Sequence, residues 1–91
     1  MPIEILIVDD DIEIRRLLRT ALERESYAVS EASDAKSAMD RLDRGGVNLI
    51  TLDLSLGADD GLSLARKIRA RSDVPIIMVT GKGDAIDRVV G

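Results

Sequence analysis

Apolar residues fall along this chain in short blocks, and the spacing inside the blocks switches between two periods. Ile3, Ile5, Leu6, Ile7 and Val8 make a nearly continuous, β-branched run that stops at Asp9, the pattern of a strand buried on both faces of a parallel sheet. Beyond it Ile14, Leu17, Leu18, Ala21 and Leu22 recur at i, i+3, i+4, i+7 and i+8. That spacing predicts an amphipathic helix reaching Glu25, with Arg15, Arg16 and Arg19 facing out and Asp10 or Asp11 as its N-cap. Tyr27 to Ala32 alternates and predicts a second strand. Ser33 or Asp34 then caps a helix with Ala35, Ala38, Met39 and Leu42 on one face, and Gly45-Gly46 ends it.

Val47 to Leu54 predicts a third strand, apolar apart from Asn48, Thr51 and Asp53. A loop from Ser55 to Asp59 leads into a helix from about Asp60 to Arg71, with Leu64, Ala65 and Ile68 inward. Pro75 fits at the start of a fourth strand, Ile76 to Thr80. Gly81 to Gly83 form a loop, and Asp84 caps a last, short helix. Strands separated by helix-length segments predict an α/β fold, a parallel sheet flanked by helices through right-handed crossovers. With 91 residues, no repeat and no linker, residues 1–91 read as one domain.

Apolar residues make up 45% of the chain, enough for a core, yet Tyr27 is its only aromatic, so that core is aliphatic. The absence of Cys and His excludes disulfides, thiolate and imidazole metal sites, and imidazole bases. Thirteen Lys and Arg against 17 Asp and Glu give a net charge of −4, which argues against direct nucleic-acid contact by this segment. No run approaches the about 18 apolar residues of a membrane span, and Asp9 to Asp11 interrupt any signal peptide. A cytoplasmic protein is the expectation.

What chemistry remains is concentrated at the carboxyl ends of the predicted strands, where open parallel sheets gather their functional groups. The first strand delivers Asp9 and Asp10, the third Asp53 and the fourth Thr80. With the first and third strands adjacent, three carboxylates converge, and like charges about 4 Å apart repel by about 4 kcal/mol at an effective dielectric of 20. Raised pKa values or a cation must compensate. A site of oxygen ligands alone suits Mg2+. Helix capping accounts for one of the acids at positions 9 to 11, not for all of them. Asp53, held rigidly at the end of an apolar strand, is placed to attack phosphorus and form an acyl phosphate, and Thr80 offers a hydroxyl to the product.

The runs Ile5-Leu6-Ile7-Val8-Asp9-Asp10-Asp11, Leu49-Ile50-Thr51-Leu52-Asp53-Leu54, Asp60-Gly61-Leu62 and Pro75-Ile76-Ile77-Met78-Val79-Thr80-Gly81 together resemble the receiver domain of bacterial two-component response regulators. The resemblance covers the whole chain in order and spacing. It implies a flavodoxin-like, doubly wound parallel sheet with strand order 2-1-3-4, and a phosphoprotein of the phosphorelay rather than an enzyme. It implies Asp53 as phosphoacceptor, Asp9 and Asp10 as the acids that position Mg2+, Ser55 as a metal ligand through its carbonyl, and Thr80 as the switch hydroxyl. A sensor histidine kinase is the implied phosphoryl donor. The stretch Gly81 to Val90 is similar to regulators with a winged-helix output domain, through which transcription and DNA would be reached.

Two departures stand out. Gly57 occupies a loop position where the family often has Pro, which loosens that loop. Receivers continue into a fifth strand bearing an essential Lys, and then a fifth helix, so the domain is expected to be truncated before that strand. Lys82 lies one loop too early to replace that Lys. Phosphorylation of these residues alone is therefore expected to be weak or absent. The alternative function is an association module: a bare fourth strand and a partly uncovered first helix would favour a homodimer or swapped oligomer. A haloacid dehalogenase-type phosphatase is disfavoured, because its second Asp would fall at Ser55. Nucleotide binding lacks a Gly-rich loop after the first strand.

Overall fold

A computed structural model of the protein describes residues 2–56, 59–79 and 86–90. Strand β1 (Glu4–Val8) leads into helix α1 (Ile12–Arg24), β2 (Ala28–Ala32), α2 (Ala35–Asp43) and β3 (Leu49–Asp53), followed by α3 (Gly61–Arg69), β4 (Ile76–Val79) and β5 (Ile86–Val90). The sheet runs β2-β1-β3-β4-β5. Its first four strands are mutually parallel in the expected order 2-1-3-4.

Register fixes what emerges at the top of the sheet. Val8 pairs with Leu52 across β1 and β3, so the next residues, Asp9 just past β1 and Asp53 the last of β3, lie side by side. The Asp9 amide still donates to the Ala32 carbonyl at 3.1 Å, and the Leu54 amide to the Val79 carbonyl at 3.1 Å. Both acids are thus anchored by backbone bonds on their outer flanks.

On one face of the sheet Leu6, Val8, Ile50, Leu52, Ile76 and Met78 pack against Ala38 of α2 and Leu64, Ala65 and Ile68 of α3. Burying each large aliphatic side chain stabilises by about 1.5–3 kcal/mol, which is how a core without Phe or Trp suffices. On the other face Ile5 and Ile7 are buried beside α1, yet no residue of α1 is itself fully buried and Leu17 is 68% exposed. The first helix is partly uncovered, as expected.

Caps set the helix starts. Asp11 accepts from the Glu13 amide, Asp34 forms a capping box with Ser37, and Asp60 accepts from the Leu62 amide. At the end of α1 the Ser26 amide donates to the Glu23 carbonyl at 3.0 Å and the Tyr27 amide to the Leu22 carbonyl at 3.2 Å, a Schellman turn with Ser26 at φ +71°. A serine is strained there, so Ser26→Gly is expected to raise unfolding stability by about 1 kcal/mol in a denaturant melt.

Two expectations are corrected. The segment after Asp84 is not a helix: residues 86–90 form β5, antiparallel to β4, with Ile76 opposite Val90. Its backbone takes up groups that β4 would otherwise leave unpaired, so β4 is not the bare sheet edge on which the association reading rested. The stretch Ser55 to Asp59 is not a plain loop, because Ser55–Leu56 pairs antiparallel with Asp59–Asp60 and draws the chain back toward α3. No helix among the described residues is long and apolar enough to cross a membrane.

Candidate functional site

Carboxylate oxygens of Asp9, Asp10 and Asp53 lie within 4.8 Å of one another at the top of β1 and β3. Asp9 and Asp53 are each only 7% exposed, whereas Asp10 faces solvent. The Asp11 amide donates to Asp9 Oδ1 at 2.9 Å and the Ser55 amide to Asp53 Oδ1 at 3.1 Å. Each buried acid thus has one oxygen fixed by its own chain two residues on.

Electrostatically the cluster is strained. Burial pushes the Asp9 carboxyl above its ordinary value and the charges of Asp53, Asp10 and Asp11 push it further, against the Asp11 hydrogen bond. Burial likewise raises Asp53, with the Asp10 charge adding to it and the Ser55 hydrogen bond opposing. Three hard oxygen donors converging in this way can hold a divalent metal ion, and such an ion would remove the repulsion.

Of the residues singled out in the sequence, Asp9, Asp10 and Asp53 are brought together here. Ser55 lies two residues beyond Asp53, tied to it through its amide. Thr80 falls outside the described residues, as do Gly57 and Lys82.

Three contributors were not foreseen. Gly61 opens α3 directly against the end of β3, and its amide donates to the Leu54 carbonyl at 3.0 Å. Arg15 does not face outward: its Nη1 donates to the Asp9 carbonyl at 2.7 Å and its Nε to Glu31 Oε1 at 2.9 Å. Arg19 Nε closes on Glu31 Oε2 at 2.6 Å. These guanidiniums, Arg19 first, hold the Glu31 carboxyl below its ordinary value. The available signal was the β2 alternation, which places Glu31 on the face shared with Val29 and Tyr27, toward α1.

A profile of the response regulator receiver domain matches residues 5–91. The chain belongs to that family. The receiver is 46% identical over 97% of its length to the transcriptional regulatory protein ResD of Bacillus subtilis, covering 37% of that protein. It is 47% identical over the same share to the transcriptional regulatory protein SrrA of Staphylococcus aureus, covering 36% of it. The chain therefore spans little more than a third of the length of these curated relatives.

Among solved structures, one of histidine kinase ThkA in complex with response regulator TrrA matches with a TM-score of 0.82 and 32% identity, over 90% of this chain and 72% of the matched one. A response regulator of Burkholderia pseudomallei with a phosphorylated aspartic acid, a calcium ion and citrate matches with a TM-score of 0.79 and 34% identity, over 89% of this chain and 48% of that one.

Proposed function

We propose that Asp53 is the phosphoacceptor of this receiver, with Mg2+ held by Asp9, Asp10, Asp53 and the Ser55 carbonyl. The observation that carries this reading is the convergence of three carboxylates on one point, with Asp53 the one that ends a buried strand. In the reaction an Asp53 oxygen forms a bond to phosphorus as the bond from phosphorus to the donor breaks; the donor keeps that bond's electron pair, and an acyl phosphate results. The Ser55 amide donates to Asp53 Oδ1 at 3.1 Å and so orients the carboxylate. Bound Mg2+ would supply charge neutralisation for the transferring oxygens.

The donor we assign is a sensor histidine kinase, in keeping with the ThkA–TrrA complex. Thr80 supplies the hydroxyl that answers phosphorylation, and an output domain acting on transcription is the consequence we assign, by likeness to ResD and SrrA.

The test is incubation with acetyl phosphate followed by intact-mass measurement over hours. The expected result is slow gain of a single phosphoryl group in Mg2+, and none in chelator or in Asp53→Asn. An equal gain by Asp53→Asn, or a gain undiminished by chelator, refutes the assignment.

A further inference from the structure

We propose that Arg15 is a positioning residue for the acidic site: its guanidinium, aimed by Glu31, clamps the peptide between Asp9 and Asp10 and so sets the placement of both acids for a divalent cation. This rests on the metal-site reading above. The argument begins with the backbone. Asp9 is held at three points: its amide by the Ala32 carbonyl, its carboxylate by the Asp11 amide, and its carbonyl by Arg15 Nη1 at 2.7 Å. The last of these governs Asp10, because that carbonyl belongs to the peptide plane from which the Asp10 Cα emerges. Asp10 itself is exposed, lies past the β1 ladder and precedes the Asp11 cap. Arg15 is thus what fixes the turn between strand and helix on the Asp10 side.

Arg15 can do this because it is itself aimed. Its side chain is only 14% exposed, and Nε is fixed by Glu31 Oε1 at 2.9 Å. Glu31 is held in turn by Arg19 at 2.6 Å. A planar guanidinium can bond carboxylate and carbonyl at once, in a fixed fork that an ammonium does not offer. Mg2+ demands near-octahedral geometry, so a small rotation of the 9–10 peptide is costly for binding. Groups that orient metal ligands from behind change metal affinity by about 10–100-fold when removed.

Arg19 supplies the comparison. It donates to Glu31, Glu23 and the Val29 carbonyl, and so bears on Asp9 only indirectly, through Glu31. Mg2+ affinity measured by titration calorimetry, beside a denaturant midpoint for each variant, separates positioning from mere stability. Arg15→Gln is expected to weaken Mg2+ binding about 10-fold, and Arg19→Gln, which reaches the site only through Glu31, to lower the midpoint while weakening binding by much less. Glu31→Gln, which keeps the bridge's shape without its charge, is the milder second variant, and its affinity should fall in the same direction as Arg15→Gln. Equal affinity in wild type and in both Arg15→Gln and Glu31→Gln overturns the proposal, as does an equal loss in Arg19→Gln. A wild-type chain that binds no Mg2+ overturns the metal-site reading first, and this inference with it.

Discussion

Gly61→Ala is expected to lower the unfolding free energy by about 3 kcal/mol, a fall in thermal midpoint of roughly 10 °C or more. A Cβ at this position would collide with the Asp53 carbonyl oxygen and stand 2.8 Å from the Leu54 Cα and 2.9 Å from the Leu54 oxygen. All three atoms are backbone, at the end of a strand packed between β1 and β4, so no side chain can rotate aside. The chain must instead break the bond from the Gly61 amide to the Leu54 carbonyl or shift the end of β3. Either displacement moves Asp53, so Mg2+ affinity should fall together with stability. Gly45→Ala provides the comparison: its φ of +82° is strained for alanine, but nothing lies within 4 Å. Its loss should stay near about 1–2 kcal/mol, with Mg2+ binding intact. Denaturant melts and cation titrations on the two variants check the contrast, and a Gly61→Ala protein as stable as Gly45→Ala would show that the close approach is relieved at little cost.

This glycine marks where reading the sequence stops. Strand and helix periods are local, and β1 to β4 with α1 to α3 were legible from them to within a few residues. The acid cluster was legible too, because strand ends in a parallel sheet share one edge, and Asp9 and Asp53 each directly followed or closed an apolar run. Gly61 stood in view as part of Asp60-Gly61-Leu62, but its reason is a contact between backbones eight residues apart that no period reveals. Arg15 was misread for a related cause. On a helical wheel it belongs to the polar face, yet β2 places a carboxylate beneath that face, and a long side chain follows its partner. The segment 86–90 was read as a helix from the Asp84 cap alone, while pairing with β4 was decided by the backbone groups open beside it.

Asp53→Asn is expected to make the metal-free protein more stable while removing its stabilisation by Mg2+. Asp9 and Asp53 carry ligand oxygens within 4.8 Å of each other, and at an effective dielectric of 20 a pair of like charges at that distance repels by about 3 kcal/mol. Asparagine removes the charge and keeps an oxygen to accept from the Ser55 amide, so the gain should approach about 1–3 kcal/mol at neutral pH, or roughly 4–8 °C per kcal/mol. The pH dependence has a definite sign. Because both acids hold their protons above the ordinary value of 3.8 in the folded state, folding loses stability as pH rises from 3.8 through the raised values, and stays penalised above them. Glu31 works oppositely: held below its ordinary 4.5, it contributes stability above that value and gives it up as pH falls through its lowered one. Asp53→Asn should therefore show a shallower loss of stability between the ordinary carboxylate range and neutrality, with the acid-side loss from Glu31 unchanged. In the wild type, Mg2+ at about 100 times its Kd should return about 2.7 kcal/mol by mass action, and chelator should remove it. Thermal melts of both proteins with Mg2+ and with chelator, across pH, decide the matter: an Asp53→Asn chain no more stable than wild type in chelator would mean that the cluster is not strained by its own charge.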